Sequence, residues 1–297
     1  MRVLLTGATG LLGGALVELL ISRGHEVRCL VRESGPNRHR LDPAEVEVVA
    51  GDAADEDAVE RTARGTDAAI HAAGIEYAPR VVEGMRRAGV ERLLAVSSTS
   101  AYSAYASRSG PKLAMEAVVR ESGLAWTLVR PAMIYGSERD KNMHRLLRFL
   151  DRSPVFPVFG SGENLWQPVY HEDLALGVLA ALDPGAVGGS YDLPGAAPLS
   201  YRGLVRFAGR ALGREVKVVS VPLEPVYRAL RLAERTGLPL PVNSDQVLRL
   251  REDKAYPYEK AQRELGYSPR RFEEGIALEV ERLRTLGMLK TTRTVRA

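Results

Sequence analysis

Three glycines spaced by two residues, Gly7, Gly10 and Gly13 in LLTGATGLLGGALVELLISRG, constrain this 297-residue chain more than any other feature. They stand between an apolar run over residues 2–6 and a helical pattern over residues 11–22. A strand that enters a helix through such a loop needs Gly7 for a tight turn. Gly10 allows backbone to approach a pyrophosphate, and Gly13 lets the helix pack closely on a sheet. Thr9, Leu11 and Leu12 fill the positions between and beside the glycines, where backbone N–H groups at the helix start face an anion. The context of strand, loop and apolar helix predicts a bound dinucleotide rather than a bare glycine-rich turn.

The rest of the first half repeats the alternation. Short apolar runs occur at RVLLT (2–6), EVRCLV (26–31), VEVVA (46–50), DAAIHAAG (67–74), RLLAVSS (92–98) and WTLVRP (126–131). Helical patterns lie between them near 11–22, 55–64, 79–88 and 112–122. Runs rich in Val, Leu and Ile without strict alternation indicate strands covered on both faces, so the sheet is parallel. The expected fold is α/β: a Rossmann-type doubly wound parallel sheet, with ligands at the carboxyl ends of the strands. This domain is expected over residues 1–135. Residues 136–297 read as a smaller, mixed α/β substrate region, with more Pro and Gly and with the chain crossing back to the sheet.

The cofactor's second phosphate is decided at the end of strand two. An acidic residue there suits the ribose 2′-hydroxyl of NAD, whereas arginine suits the 2′-phosphate of NADP. The strand ends CLVRES, which puts Arg32 in that place, and Arg38 and Arg40 follow in the next loop. NADP is therefore expected, and Glu33 keeps NAD open.

Composition excludes several classes. The 41 Lys+Arg against 37 Asp+Glu leave only +4, and the basic residues are dispersed, so no nucleic-acid partner is expected. The lone Cys29 rules out an intramolecular disulfide framework. No stretch reaches the roughly 20 apolar residues of a membrane span, and no signal segment precedes the first strand, so no membrane partner and a cytoplasmic location are expected. The tail LKTTRTVRA reads as a disordered end. No His/Cys/Asp spacing suggests a metal.

Together these segments resemble the extended and atypical short-chain dehydrogenase/reductases of the NAD-dependent epimerase/dehydratase superfamily. The likeness is greatest to the atypical branch that includes a complex I subunit. TGATGLLG matches that family's cofactor loop. AGDAADEDAV resembles the segment whose aspartate contacts adenine, which implies Asp52 with Ala53 beside it. AAIHAAG implies Ala72, Ala73 and Gly74 along the cofactor, and LVRPAMIYG implies Pro131 near the nicotinamide. AVSSTSAY resembles the strand end that supplies a catalytic hydroxyl, here Ser98, with Ser97 beside it at the strand end. The later segments GSGENLWQPVYHEDLALGVLAAL and AQRELGYSPRRFEEGI resemble parts of the substrate region. The family implies reduction, dehydration or epimerisation of a carbonyl or sugar-nucleotide-type small molecule, and a homodimer stays open.

One position departs from the family. Lys112 stands where the helix presents its catalytic lysine, but Arg108 occupies the place of the tyrosine four residues earlier. Arginine stays charged near neutral pH and donates no proton to a substrate. Pro111 disfavours an α conformation at Gly110, so the helix is expected to start near Pro111 with Arg108 in the loop. Three readings remain open. Tyr102 or Tyr105 replaces the missing acid alongside Ser98 and Lys112; the chain binds NADP(H) without chemistry, as a sensor or an assembly subunit; or Ser98 acts with a residue of the substrate wall. His71 reads as a core histidine, and Glu172 and Asp173 after His171 favour the positive end of a helix. Gln167 and Tyr170 are weaker candidates to face substrate.

Overall fold

The computed structural model describes residues 1–35, 37–234 and 248–290. The basic tail expected to be disordered lies, from residue 291 on, outside the described residues. The strands, numbered along the chain, begin with β1 Arg2–Thr6, β2 Glu26–Val31, β3 Glu47–Ala50, β4 Ala68–His71, β5 Arg92–Val96 and β6 Ala125–Pro131. Then come β7 Ile134–Tyr135, β8 Val155–Phe159, β9 Leu165–Trp166, β10 Val169–Tyr170, β11 Ser190–Leu193, β12 Leu199–Ser200 and β13 Lys217–Val221. Seven of them form one sheet in the order β11-β6-β5-β4-β1-β2-β3. All six pairings in it are parallel, from Arg2 beside Glu26 to Leu193 beside Pro131. The order reverses between β1 and β4, and this is where a doubly wound sheet opens its ligand crevice.

The apolar runs produce this sheet because both of its faces are covered. Successive side chains of a strand point to opposite faces. Val3 and Leu5 of β1 join Ile70, Leu94 and Val129 in one core, while Leu4 joins Leu30, Leu93 and Leu128 in the other. Helices α1 Leu11–Ser22 and α6 His171–Ala180 pack together beside the first core. Helices α2 Glu56–Ala63, α3 Ala78–Ala88 and α4 Ala106–Arg120 pack in succession over the second. Burying large aliphatic side chains on both faces stabilises the sheet by roughly 1.5–3 kcal/mol for each one fully removed from water.

Helix α4 differs from its expectation. It begins at Ala106 rather than near Pro111, so Arg108 is helical and Pro111 lies inside the helix. The cost of Pro111 is one missing backbone bond, to the carbonyl of Ser107 four residues earlier. Ser107, Arg108, Gly110 and Pro111 are all exposed, so water satisfies that carbonyl and the helix runs through.

The chain divides into two compact units. The first contains Met1–Ile134, Val169–Pro194 and Tyr256–Pro269, and so includes the whole seven-stranded sheet. The second gathers the described residues of 135–168, 195–255 and 270–290. In the second, β8 pairs in parallel with β13, and β9 pairs antiparallel with β12. Helices α5 Met143–Leu150 and α7 Tyr201–Ala211 pack with each other and with the helix Phe272–Thr285.

Candidate dinucleotide site

The loop between β1 and α1 is as tight as its glycines imply. Gly7 has φ +78°, and a Cβ there would lie 2.7 Å from the backbone of Ala72 and Ala73. A Cβ on Gly13 would lie 2.0 Å from the carbonyl oxygen of Gly7, so the helix start rests directly on the turn. Gly10 caps α1 with an extended backbone and no side chain, and its N–H bonds the Gly7 carbonyl at 2.9 Å. The first turn contains no acidic residue. The first N–H groups of α1, including those of Leu11 and Leu12, thus have neither a side-chain cap nor a competing carboxylate. Such a terminus favours an anion through open donors and the positive end of the helix dipole.

The neighbouring parallel strands end on the same edge of the sheet. Arg32 is exposed just beyond β2, and its guanidinium bonds no described residue. Asp52 follows β3 and accepts the Ala54 N–H at 3.0 Å on one carboxylate oxygen, with Ala53 buried beside it. Ala72, Ala73 and Gly74 follow β4, where the Ala72 N–H bonds the Thr6 carbonyl at 3.2 Å. His71 is buried, with Nδ1 2.7 Å from the Thr6 hydroxyl. Burial pushes its pKa down to about 4, so the imidazole is neutral and structural.

Lys112 and Arg108 lie one turn apart on α4, and so share a helix face. The Lys112 ammonium reaches Glu76 Oε2 at 3.3 Å. Glu76 lies in the turn after Gly74, close enough that a Cβ on Gly74 would meet Oε1 at 2.6 Å. Burial raises the Glu76 pKa, but its own backbone amide and Lys112 outweigh that and hold it below the usual carboxylate value. Tyr105 caps α4 and accepts the N–H groups of Arg108 and Ser109 on its carbonyl. It precedes Lys112 by seven residues, close to two helical turns, which brings it to the lysine's stripe of the helix. The Tyr105 hydroxyl bonds no described residue.

Tyr102 is held elsewhere. Its hydroxyl donates to Asp192 at 2.9 Å and accepts Arg130 Nη1 at 2.9 Å. The Arg130 guanidinium carbon lies 5.2 Å from the Tyr102 ring centre. Arg130 also grips Glu116 with two bonds, Nε to Oε1 at 2.7 Å and Nη2 to Oε2 at 2.6 Å. Glu116 is fully buried and further accepts the Ser97 hydroxyl and Arg120 Nη2, each at 2.7 Å. Burial alone would raise its pKa, but these donors win and keep it ionised. For Tyr102 burial and then Asp192 act in the same direction and push the phenol up to about 12. Ser98 caps the short turn Thr99–Tyr102, where its oxygen accepts from Ser100 N at 3.2 Å and Ser100 Oγ at 3.1 Å. Pro131 ends β6, and its carbonyl accepts the Thr99 hydroxyl at 3.2 Å.

Sequence reasoning missed Glu76, Glu116 and Asp192. Glu116 had a usable signal: an acid one turn after Lys112 and one turn before Arg120 on a helix that packs on the sheet. Asp192 is brought to Arg130 only by the register of β11 on β6, which no local pattern encodes.

A cavity of about 1030 Å³ in this unit lies elsewhere. Met1, Asp67 and Arg92 line it at the amino ends of β1, β4 and β5, away from the carboxyl-end crevice. Among the described residues no group of three or more His, Cys, Asp or Glu suits a metal, and no helix is long and apolar enough to cross a membrane.

Residues 7–151 match the NAD(P)H-binding family model. An uncharacterized Mycobacterium tuberculosis protein is 31% identical over 224 residues, covering 71% of this chain. The chain spans only 24% of that relative's length. A ceramide reductase from Caulobacter vibrioides is 33% identical over 193 residues, which is 60% of each chain. A nucleoside-diphosphate-sugar epimerase structure from Pseudomonas aeruginosa superposes with a TM-score of 0.79 at 21% identity, over 98% of this chain and 99% of that one. The structural likeness establishes the shared fold.

Proposed function

With residues 7–151 matching the NAD(P)H-binding family model, we propose that this chain is an NADP(H)-dependent oxidoreductase that reduces a carbonyl substrate. The observation that carries the reading is the uncapped, acid-free start of α1 behind the Gly7 turn, a cradle built for a pyrophosphate. The reductase name of the Caulobacter relative supports the direction of the chemistry.

The residues divide the work as follows in this reading. Gly7, Thr9, Gly10, Leu11, Leu12 and Gly13 hold the pyrophosphate by backbone. Asp52 and Ala53 bind the adenine end, and Arg32 meets the 2′-phosphate. Ala72, Ala73, Gly74 and Pro131 line the nicotinamide end, and Lys112 binds the ribose hydroxyls after releasing Glu76. A nicotinamide cofactor supplies a hydride when bound. Ser98 orients the carbonyl oxygen, and Tyr105 gives that oxygen its proton, later regained from solvent. Tyr105 suits the role better than Tyr102 because its hydroxyl has no competing bond, whereas the Tyr102 phenol is held by Asp192.

The test is NADPH consumption with a panel of ketones and β-keto esters, with wild type, Tyr105→Phe and Tyr102→Phe compared. Loss of a general acid lowers turnover about 10²–10⁴-fold, and that loss is expected for Tyr105→Phe. A second reading, a non-catalytic NADP(H)-binding sensor or assembly subunit, is favoured by Arg108 at the family's tyrosine position. Tight NADPH binding with no turnover across the panel would sink the reductase and leave the binder.

A further inference from the structure

The second unit contains a cavity of its own, about 240 Å³, which nothing in the dinucleotide site explains. Its walls are Phe156 and Phe159 of β8, Trp166 of β9, Tyr201 at the start of α7, Leu250 and Asn164. The rings form a connected group: Tyr201 lies 5.3 Å from Trp166 and 6.4 Å from Phe156, centre to centre. Neighbouring residues hold Trp166 in place. Lys254 Nζ sits 3.6 Å over the Trp166 ring, and the Lys254 N–H donates to the Leu165 carbonyl at 2.7 Å. The Leu165 N–H in turn donates to Asp253 Oδ1 at 2.8 Å.

These walls leave apolar area open to solvent. Phe156, Trp166, Tyr201 and Leu250 are only half-buried, and Phe159 is 40% exposed. None of the described lining residues is charged, so they offer nothing to a diphosphate, which is held by cationic side chains or helix starts. The Asn164 Nδ2 is already committed, donating to the Arg251 carbonyl at 2.6 Å. What remains polar among the described lining side chains is the Asn164 Oδ1 and the Tyr201 hydroxyl, neither of which bonds a described residue. Pockets with this chemistry take hydrocarbon and use a few polar groups for orientation. Size agrees: a cavity of about 150 Å³ accepts benzene, so this one accommodates a chain or ring of about six to ten carbons.

We propose that the Phe156–Trp166–Tyr201–Leu250 cavity binds an uncharged hydrocarbon group of a small molecule and excludes a nucleotide. The binding claim stands on the second unit alone; only in calling the occupant part of the substrate does it rest on the carbonyl-reductase reading.

The two tryptophans of the chain make a direct test available. A Trp126→Phe variant leaves Trp166 as the one indole reporter. Titration with 2-butanone, 2-hexanone and 2-octanone is expected to shift its emission to the blue and to saturate. Affinity should tighten roughly three- to fourfold per added methylene until the cavity is full. Leu250→Asn, and separately Phe159→Ser at its exposed position, should each weaken 2-octanone binding at least fivefold with the melting temperature unchanged. Uridine diphosphate should leave the emission unmoved. No saturation with 2-octanone, saturation with uridine diphosphate, or indifference to both wall variants overturns the proposal. Saturable binding without any ketone reduction keeps the cavity assignment and removes the reductase reading. Reduction at a rate indifferent to chain length, with no shift in emission, does the opposite.

Discussion

Tyr102 donates its hydroxyl to Asp192 at 2.9 Å, which ties the turn after β5 to the outermost strand of the sheet. The bond is charge-assisted, and Arg130 completes it from the other side at 2.9 Å. Tyr102→Phe is therefore expected to act on stability. Removing the hydroxyl should cost about 1–3 kcal/mol, because the half-buried Asp192 loses a donor. Urea unfolding measures the loss. Turnover on a productive ketone should stay within about threefold of wild type, far from the loss a general acid gives. A hundredfold drop in turnover with unchanged stability would reverse the assignment of Tyr102 and Tyr105.

Arg130 and Glu116 form a buried pair with two parallel bonds. Arg130→Met leaves Glu116 ionised in the interior with only Ser97 and Arg120 to meet it. Breaking such a pair from one side costs about 3–5 kcal/mol. The double variant Arg130→Met/Glu116→Leu removes both charges, and most of the loss is expected to return. Chemical denaturation of the three proteins checks this, and a double variant no more stable than Arg130→Met alone would contradict it.

Much of this architecture is legible in the chain because it is local. Val3, Leu4 and Leu5 read as a strand buried on both faces, and that is where they lie. The Gly7 and Gly13 contacts follow from a spacing visible in eight residues. What is not legible is long-range. Asp192 meets Arg130 only because β11 adds beside β6 in one register, and a strand of four residues does not announce its partner. The start of α4 is unreadable for another reason. Pro111 and Gly110 each argue for a break, and solvent exposure of the neighbouring carbonyl removes most of the penalty.

Arg32 is exposed beside the end of β2 without a partner among the described residues, so its charge is available to a ligand. A charged hydrogen bond to a 2′-phosphate contributes about 1.5–3 kcal/mol. Arg32→Ala is expected to weaken NADPH binding by about 10- to 100-fold and to leave NADH binding within twofold. Fluorescence or calorimetric titration of both cofactors decides it. Equal weakening of the two would remove Arg32 from cofactor selection.

Glu279, in the helix Phe272–Thr285, makes the stability of the second unit depend on pH. It is fully buried, and Asp140 faces it with Oδ1 already accepting the N–H groups of Asn142, Met143 and His144. Burial first, and then the Asp140 carboxylate, push the Glu279 pKa from 4.5 up to about 10. Across that window the folded chain holds a proton that the unfolded chain has released. Stability then falls as pH rises, because the native state binds more protons than the unfolded state. The contribution is fully present below about pH 4.5 and is lost progressively toward about pH 10. Glu279→Gln keeps the site neutral at every pH and removes that slope. The melting temperature of the variant, relative to wild type, is expected to climb steadily from acid to mildly alkaline buffer. A constant difference across the series would mean that Glu279 titrates alike in the folded and unfolded protein.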